Sequence, residues 1–189
     1  MTFIKDGTGG GYVAEVDSKN RIRVYAVAED EATFINRVEG EMYSGSWGSS
    51  GIVAATGGNY ILYLKNTHSS KDMVITKMKH RCTTAAGSIS VELNVIGTPG
   101  GSLTTLTPGN RNAGSNNEAQ CIYYSSANIT GLTAGRSVAS AYYDPAIEGV
   151  FNFQEPCSGW ILPPQGTLAV KANNNTSVHF GGFSFYFRD

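Results

Sequence analysis

Three histidines, three cysteines and a thin scatter of carboxylates are the groups in this 189-residue chain with the chemistry for catalysis or metal binding. His80 and Cys82 stand two apart in a run that reads as a strand, so both point to one face, as in a Cys–His nucleophile pair. No third group that would orient the imidazole accompanies them. His68 falls in a turn, His80 near a strand end and His179 inside the last strand. No two have ligand spacing within one element, so a zinc site requires convergence in space with Cys82 or Cys157; surface or core histidines account for the pattern as well. Asp17, Glu29, Asp30, Glu31, Glu39 and Glu41 crowd the first 41 residues, and Asp144, Glu148 and Glu155 sit in the body. A glycosidase needs two acids about 5–10 Å apart in a groove. Glu148 and Glu155 are the pair to consider, although solvated strand-edge charges explain them equally. Trp47, Trp160, Tyr142 and Tyr143 are candidates for stacking on sugars, with core or interface packing the commoner role. Gly7-Thr8-Gly9-Gly10-Gly11 lacks the preceding strand, the Lys-Ser/Thr ending and the following helix of a phosphate loop, and reads as a flexible arm. The expectation is no catalytic residue, no metal ligand set and no cofactor.

Charge narrows the partners. The formal net charge is −1 and only 15% of residues are charged, so no broad basic surface exists for nucleic acid. No run approaches the roughly 20 apolar residues of a membrane span. The opening MTFIKDGTGGG carries no apolar leader core, so the chain is expected to fold where it is made, in a cytoplasm. Cys82, Cys121 and Cys157 form no CxxC pair and, being odd in number, read as reduced, buried thiols. The Asn128-Ile129-Thr130 and Asn174-Asn175-Thr176 sequons then read as loop polarity.

The elements that must position these groups are strands. With 23 Gly, 10 Tyr and 8 Phe, the chain has the turn formers and aromatics of many short strands. Runs at 12–16 and 21–28, separated by Asp17-Ser18-Lys19-Asn20, predict a hairpin. Acidic residues followed by Phe34, Ile35 and Val38 at helical spacing predict a short helix or docked arm over 29–41, ended by Gly40. The Ser/Gly-rich stretch 43–58 reads as a flexible link or extended crossover with Trp47 as its one large anchor. This places an N-terminal anchoring arm at 1–50 and a β-sandwich at 51–189. Strands are predicted at 60–65, 72–81, 88–96, 119–124, 146–155, 166–172 and 178–187, with a weaker run at 137–143. In 88–96, Ile89, Val91, Leu93 and Val95 share one face. Residues 97–117 form a long polar loop where a helix or central strand is implausible, and its Arg111, Asn112 and Asn116 are candidates for touching a ligand. Pro163-Pro164 and Gln165-Gly166 make a turn from which Leu168 and Val170 re-enter the core. In the last strand Val178 and Phe180 share one parity and Phe183, Phe185 and Phe187 the other, which predicts a β-bulge at Gly181-Gly182. Eight strands suit an all-β jelly-roll sandwich preceded by the hairpin and helix.

The chain resembles known proteins in two ways. Phe180-Gly181-Gly182-Phe183-Ser184-Phe185 resembles the last strand of trimeric jelly rolls of the tumour-necrosis-factor and C1q type. Ile4-Lys5-Asp6-Gly7-Thr8-Gly9, with Ala14-Glu15-Val16-Asp17-Ser18-Lys19-Asn20-Arg21-Ile22, is similar to the N-terminal segment of tailed-bacteriophage virion proteins. Leu162-Pro163-Pro164-Gln165-Gly166-Thr167-Leu168 is similar to their late strands. The resemblance implies a non-enzymatic structural protein located in the virion: a capsid-decoration or head-fibre subunit that docks through its arm and projects a sandwich. A tail-associated fibre or a receptor- or glycan-binding module is the alternative, and a depolymerase ranks last. The implied partners are a phage capsid or other virion protein, two further copies in a homotrimer, and a host surface glycan in the alternative. Tyr12, Val16, Ile22, Val24, Phe34 and Ile35 are the expected particle anchors. Phe183, Phe185 and Tyr186 are the expected oligomer contacts.

Overall fold

The computed structural model describes residues 3–5, 13–16, 22–23, 31–83, 86–143, 151–153 and 159–189. They belong to two compact units, Met1–Asp30 and Glu31–Asp189. The first holds β1 (Phe3–Lys5), β2 (Val13–Val16) and β3 (Ile22–Arg23) in an antiparallel meander with β2 central. Glu15 lies opposite Arg23 and Val16 opposite Ile22, which is the described part of the predicted hairpin. β1 adds a strand that the glycine-rich opening does not announce.

The second unit begins with one α-helical turn, α1 (Glu31–Phe34), continued as a π-helical turn over Ile35–Glu39. Thirteen strands follow among the described residues. They are β4 (Met42–Val53), β5 (Asn59–Asn66), β6 (Asp72–Thr83), β7 (Gly87–Leu93), β8 (Ile96–Gly100), β9 (Thr104–Thr105), β10 (Gly109–Asn110), β11 (Cys121–Thr133), β12 (Arg136–Tyr143), β13 (Phe151–Phe153), β14 (Trp160–Leu162), β15 (Thr167–Ala172) and β16 (Val178–Arg188). One sheet runs β10-β4-β16-β6-β13, with β14 also on β6; the other runs β12-β7-β15-β5-β11-β8, with β9 also on β11. Without the short edge strands and β11, the order is β4-β16-β6-β13 in one sheet and β12-β7-β15-β5 in the other. The chain changes sheet at every step among these eight except from β7 to β12. This is the jelly-roll order, with first and last strands side by side.

Period-two alternation becomes burial where the sheets meet. Ile89 and Val91 of β7, Leu168 and Val170 of β15, and Met73, Ile75 and Met78 of β6 are all inside, each contributing about 1.5–3 kcal/mol. The aromatic half of β16 fills the centre: Tyr43 stacks on Phe185 at 5.3 Å, and Tyr123 meets Phe183 edge-on at 4.9 Å. The turn at 163–166 forms as expected, closed by Gly166 N–H donating to Pro163 O at 2.7 Å.

Several expectations need correction. Residues 43–58 are not a link: Met42–Val53 is a strand pairing with β16 along most of its length, and the compact units part at Asp30/Glu31. Ser and Gly suit it because its partner is aromatic; a Cβ on Gly45 would lie 2.9 Å from Tyr123 and 3.2 Å from Phe183. β16 does not switch parity. His179, Phe183, Phe185 and Phe187 all point inward, Phe180 does not, and the register shifts leave the extra residues on β4 and β6. The run at 88–96 breaks after Leu93, where Asn94 adopts φ 57°, and Val95 joins a second cluster with Tyr60, Tyr63, Ile129 and Ala169. Phe183, Phe185 and Tyr186, expected at an oligomer contact, are buried within one chain at 3%, 0% and 5% exposure. Their apolar surface is already satisfied by the sandwich.

The helical segment covers part of the outer face of the six-stranded sheet, where Ile35 packs on Met42, Val74 and Tyr186. Ile35 is therefore core, while Phe34 and Val38 are 43% and 55% exposed. The segment ends at Gly40, φ 65°, whose N–H donates to Ile35 O at 2.9 Å. Asn110 Nδ2 and Ser115 Oγ both donate to Gly40 O, and Asn112 Nδ2 donates to Asn36 O, so the 110–117 loop clasps this turn. A Cβ on Gly40 would sit 2.5 Å from Ser115 Oγ. Gly40→Ala is expected to cost about 2 kcal/mol through the left-handed backbone and the displaced clasp. An unchanged urea midpoint would show that neither matters.

Candidate functional site

Two places concentrate groups with chemistry. The first lies inside the sandwich, on the inner face of β6 and β16. His80 and Cys82 share that face, as their spacing predicts. The register sets Cys82 opposite His179 and His80 opposite Gly181. His80 Nε2 and His179 Nδ1 are 3.1 Å apart, so one ring donates and the other accepts. The imidazole rings lie nearly parallel with centroids 5.3 Å apart, and the Trp47 indole lies nearly parallel to His80 at 5.2 Å. The indole has room because residue 181 is glycine: a Cβ there would be 2.3 Å from the ring. Both histidines have 0% exposure, and Trp47 Nε1 and His179 Nε2 have no hydrogen-bond partner among the described residues.

Burial sets the chemistry of this cluster. It pushes His80 down to about 3, with the neighbouring His179 adding to the effect, and His179 down to about 4. It also raises the Cys82 thiol, against smaller opposing effects of hydrogen bonds with Ser177 and the Thr83 carbonyl. A neutral imidazole pair beside a protonated thiol does not generate a thiolate nucleophile. The cluster is a polar seam that sets the packing of β4, β16 and β6. Cys121, also a free thiol, is pushed up to about 12 by burial.

The second place is the outer face of the same sheet, beside the patch covered by Ile35. β6 alternates, with Met78, His80 and Cys82 inward and Lys77, Lys79 and Arg81 outward. Across the sheet, Ser184 lies between Ser44 and Lys77, and Gly182 between Ser46 and Lys79. Beyond β4, β10 carries the chain into Arg111, whose N–H donates to Met42 O at 2.8 Å and whose Nη1 approaches Met42 Sδ at 3.7 Å. The result is a shallow groove of about 380 Å³ with Ser44, Gly182 and Ser184 as floor and Lys77, Lys79 and Arg111 as walls. No carboxylate lines it among the described residues.

The predicted site residues scatter. Arg111 is in the groove, Asn112 is spent on the clasp, and Asn116 is exposed on the loop. Of the sugar-stacking candidates, Trp47 and Trp160 are buried and Tyr142 is 66% exposed; the side chain of Tyr143 lies outside the described residues, as do Cys157, Glu148 and Glu155. Val16 and Ile22 are register partners in the first unit, while Tyr12 and Val24 lie outside the described residues. Residue-by-residue reading missed Glu92, which is buried yet accepts from Tyr60 OH at 2.7 Å and from Gly135 N–H at 3.1 Å. It also missed Lys77 and Lys79, whose signal was their alternation with Met78 and His80. Among the described residues, no group of three or more His, Cys, Asp or Glu is placed to hold a metal, and no helix is long and apolar enough to cross a membrane.

No protein-family model matches this chain, and no curated protein or solved structure shows significant similarity to it.

Proposed function

We propose that this chain is a non-enzymatic structural subunit of a tailed-bacteriophage particle, of the capsid-decoration or head-fibre kind, docking through its N-terminal unit and presenting the jelly roll outward. The observation that supports this most is the inequality of the two units. Among its described residues the first unit holds strands of three, four and two residues, at the short limit for a sheet that is stable by itself in water. The second unit has a full interior of its own. A small sheet attached to a self-sufficient sandwich suits an anchor that gains stability when it lies on a larger surface. The stretches similar to virion proteins, 4–9 and 14–22, fall in this unit. Val16 and Ile22 are its anchoring candidates, and Phe34 with Val38 offers exposed apolar surface just after it.

Assembly as a homotrimer belongs to the same reading and rests on the likeness of the last strand. Because Phe183, Phe185 and Tyr186 are buried within one chain, the shared surface must use other residues of the sandwich. Light scattering should return three copies.

The docking role is tested by co-sedimentation with phage particles depleted of this protein. The full chain is expected to sediment with the particles, and a chain lacking residues 1–30 to stay in the supernatant while keeping cooperative unfolding. Equal co-sedimentation of both would sink the division of labour.

A further inference from the structure

We propose that the groove on the outer face of the six-stranded sheet binds an acidic polysaccharide, one bearing carboxylate or sulfate groups along its chain. Lys77, Lys79 and Arg111 converge on it from two sides in a protein whose formal net charge is −1. Neither lysine forms an ion pair with any described residue, so their charge is available to a ligand. From β6 to β10 is three strand spacings, roughly 14 Å between backbones, wide enough for one sugar chain lying between the cationic walls. Along β6 the positive side chains repeat every second residue, roughly 7 Å apart, and Arg81 extends the row beyond the groove. The lining suits sugars: the Ser44 and Ser184 hydroxyls both donate and accept hydrogen bonds, and Gly182 lets a chain approach the backbone. Among the described residues stacking on bases finds no platform in the groove, because Phe183, the one ring that lines it, is buried beneath the floor. An open trough of cations and hydroxyls therefore favours an acidic glycan over a nucleic acid.

The inference does not depend on the particle reading, since its test uses the free full-length chain. Fluorescently labelled polygalacturonate and dextran sulfate are titrated by anisotropy at low and physiological salt, against neutral dextran and a single-stranded oligonucleotide. At least one charged polysaccharide is expected to bind and neutral dextran not to. The double variant Lys77→Gln/Lys79→Gln should weaken binding by roughly tenfold or more and flatten its salt dependence, because fewer counterions are released. Arg111→Gln should act in the same direction. Arg136→Gln, an exposed cation on the other sheet, should leave binding unchanged, and all variants should keep the parent near-UV circular dichroism. Four results overturn the proposal: no binding of either charged polysaccharide at low salt, indifference to the groove substitutions, equal weakening by Arg136→Gln, or tighter binding of the oligonucleotide.

Discussion

Acidification from pH 7 to pH 5 is expected to remove on the order of 3–4 kcal/mol of stability, before most carboxylates titrate. The source is the buried pair His80 and His179, held neutral in the folded chain with values pushed down to about 3 and about 4. Once unfolded, both imidazoles return to the ordinary histidine value of 6.5. Below that pH the unfolded chain binds more protons than the folded one, so the stability present above about 6.5 is lost as pH falls toward 4. With both protons taken up on unfolding, the slope approaches roughly 2.7 kcal/mol per pH unit. The geometry explains why the folded state resists: His80 Nε2 and His179 Nδ1 are 3.1 Å apart, so a second proton between them would set two N–H donors face to face in a site without solvent. Urea midpoints across this range, with His179→Gln beside the parent, provide the test. The parent should lose stability steeply and the variant, with one such imidazole fewer, more gently. A flat parent midpoint between pH 7 and 5 would show that the pair is protonated as easily folded as unfolded.

Gly181→Ala is expected to destabilise by about 3 kcal/mol and to lower Tm by roughly 6–12 °C. The added methyl would fall 2.3 Å from the Trp47 indole, a distance no packing tolerates. The indole is 2% exposed and held against His80 at 5.2 Å, so it has no empty direction in which to retreat without breaking that stack. The loss should appear in the near-UV circular dichroism of tryptophan as well as in the unfolding midpoint. Trp47→Leu is destabilising alone through lost contacts, yet in the Gly181→Ala background it should recover part of the loss, because the smaller side chain vacates the space the methyl needs. Additivity of the two changes in a double-mutant cycle would show that Gly181 and Trp47 do not compete for the same volume.

Local alternation is why the β-rich class, the core strands β5, β7, β15 and β16, the turn at 163–166 and the Gly40 helix stop were legible in the residues. A side chain's face on a strand follows from parity, and a turn from its own Gly and Pro. β4 was not legible, because a Ser/Gly sequence becomes a strand only when β16 pairs with it and Tyr123 and Phe183 occupy the space its side chains would need. His179 and Phe180 exchanged roles for the same kind of reason: parity says that one of them faces inward, but Gly181, Trp47 and His80, brought together by β4 and β6, decide which. The groove is the clearest case. Lys77 and Lys79 are placed outward by their own strand, whereas Arg111 reaches them only through the register of β6, β16, β4 and β10. The sequence thus determined the strands whose own residues alternate, and the face each of those residues takes. The tertiary structure alone decided which distant side chains share a face, since that depends on strand order and register, and these are settled by the packing of the whole interior.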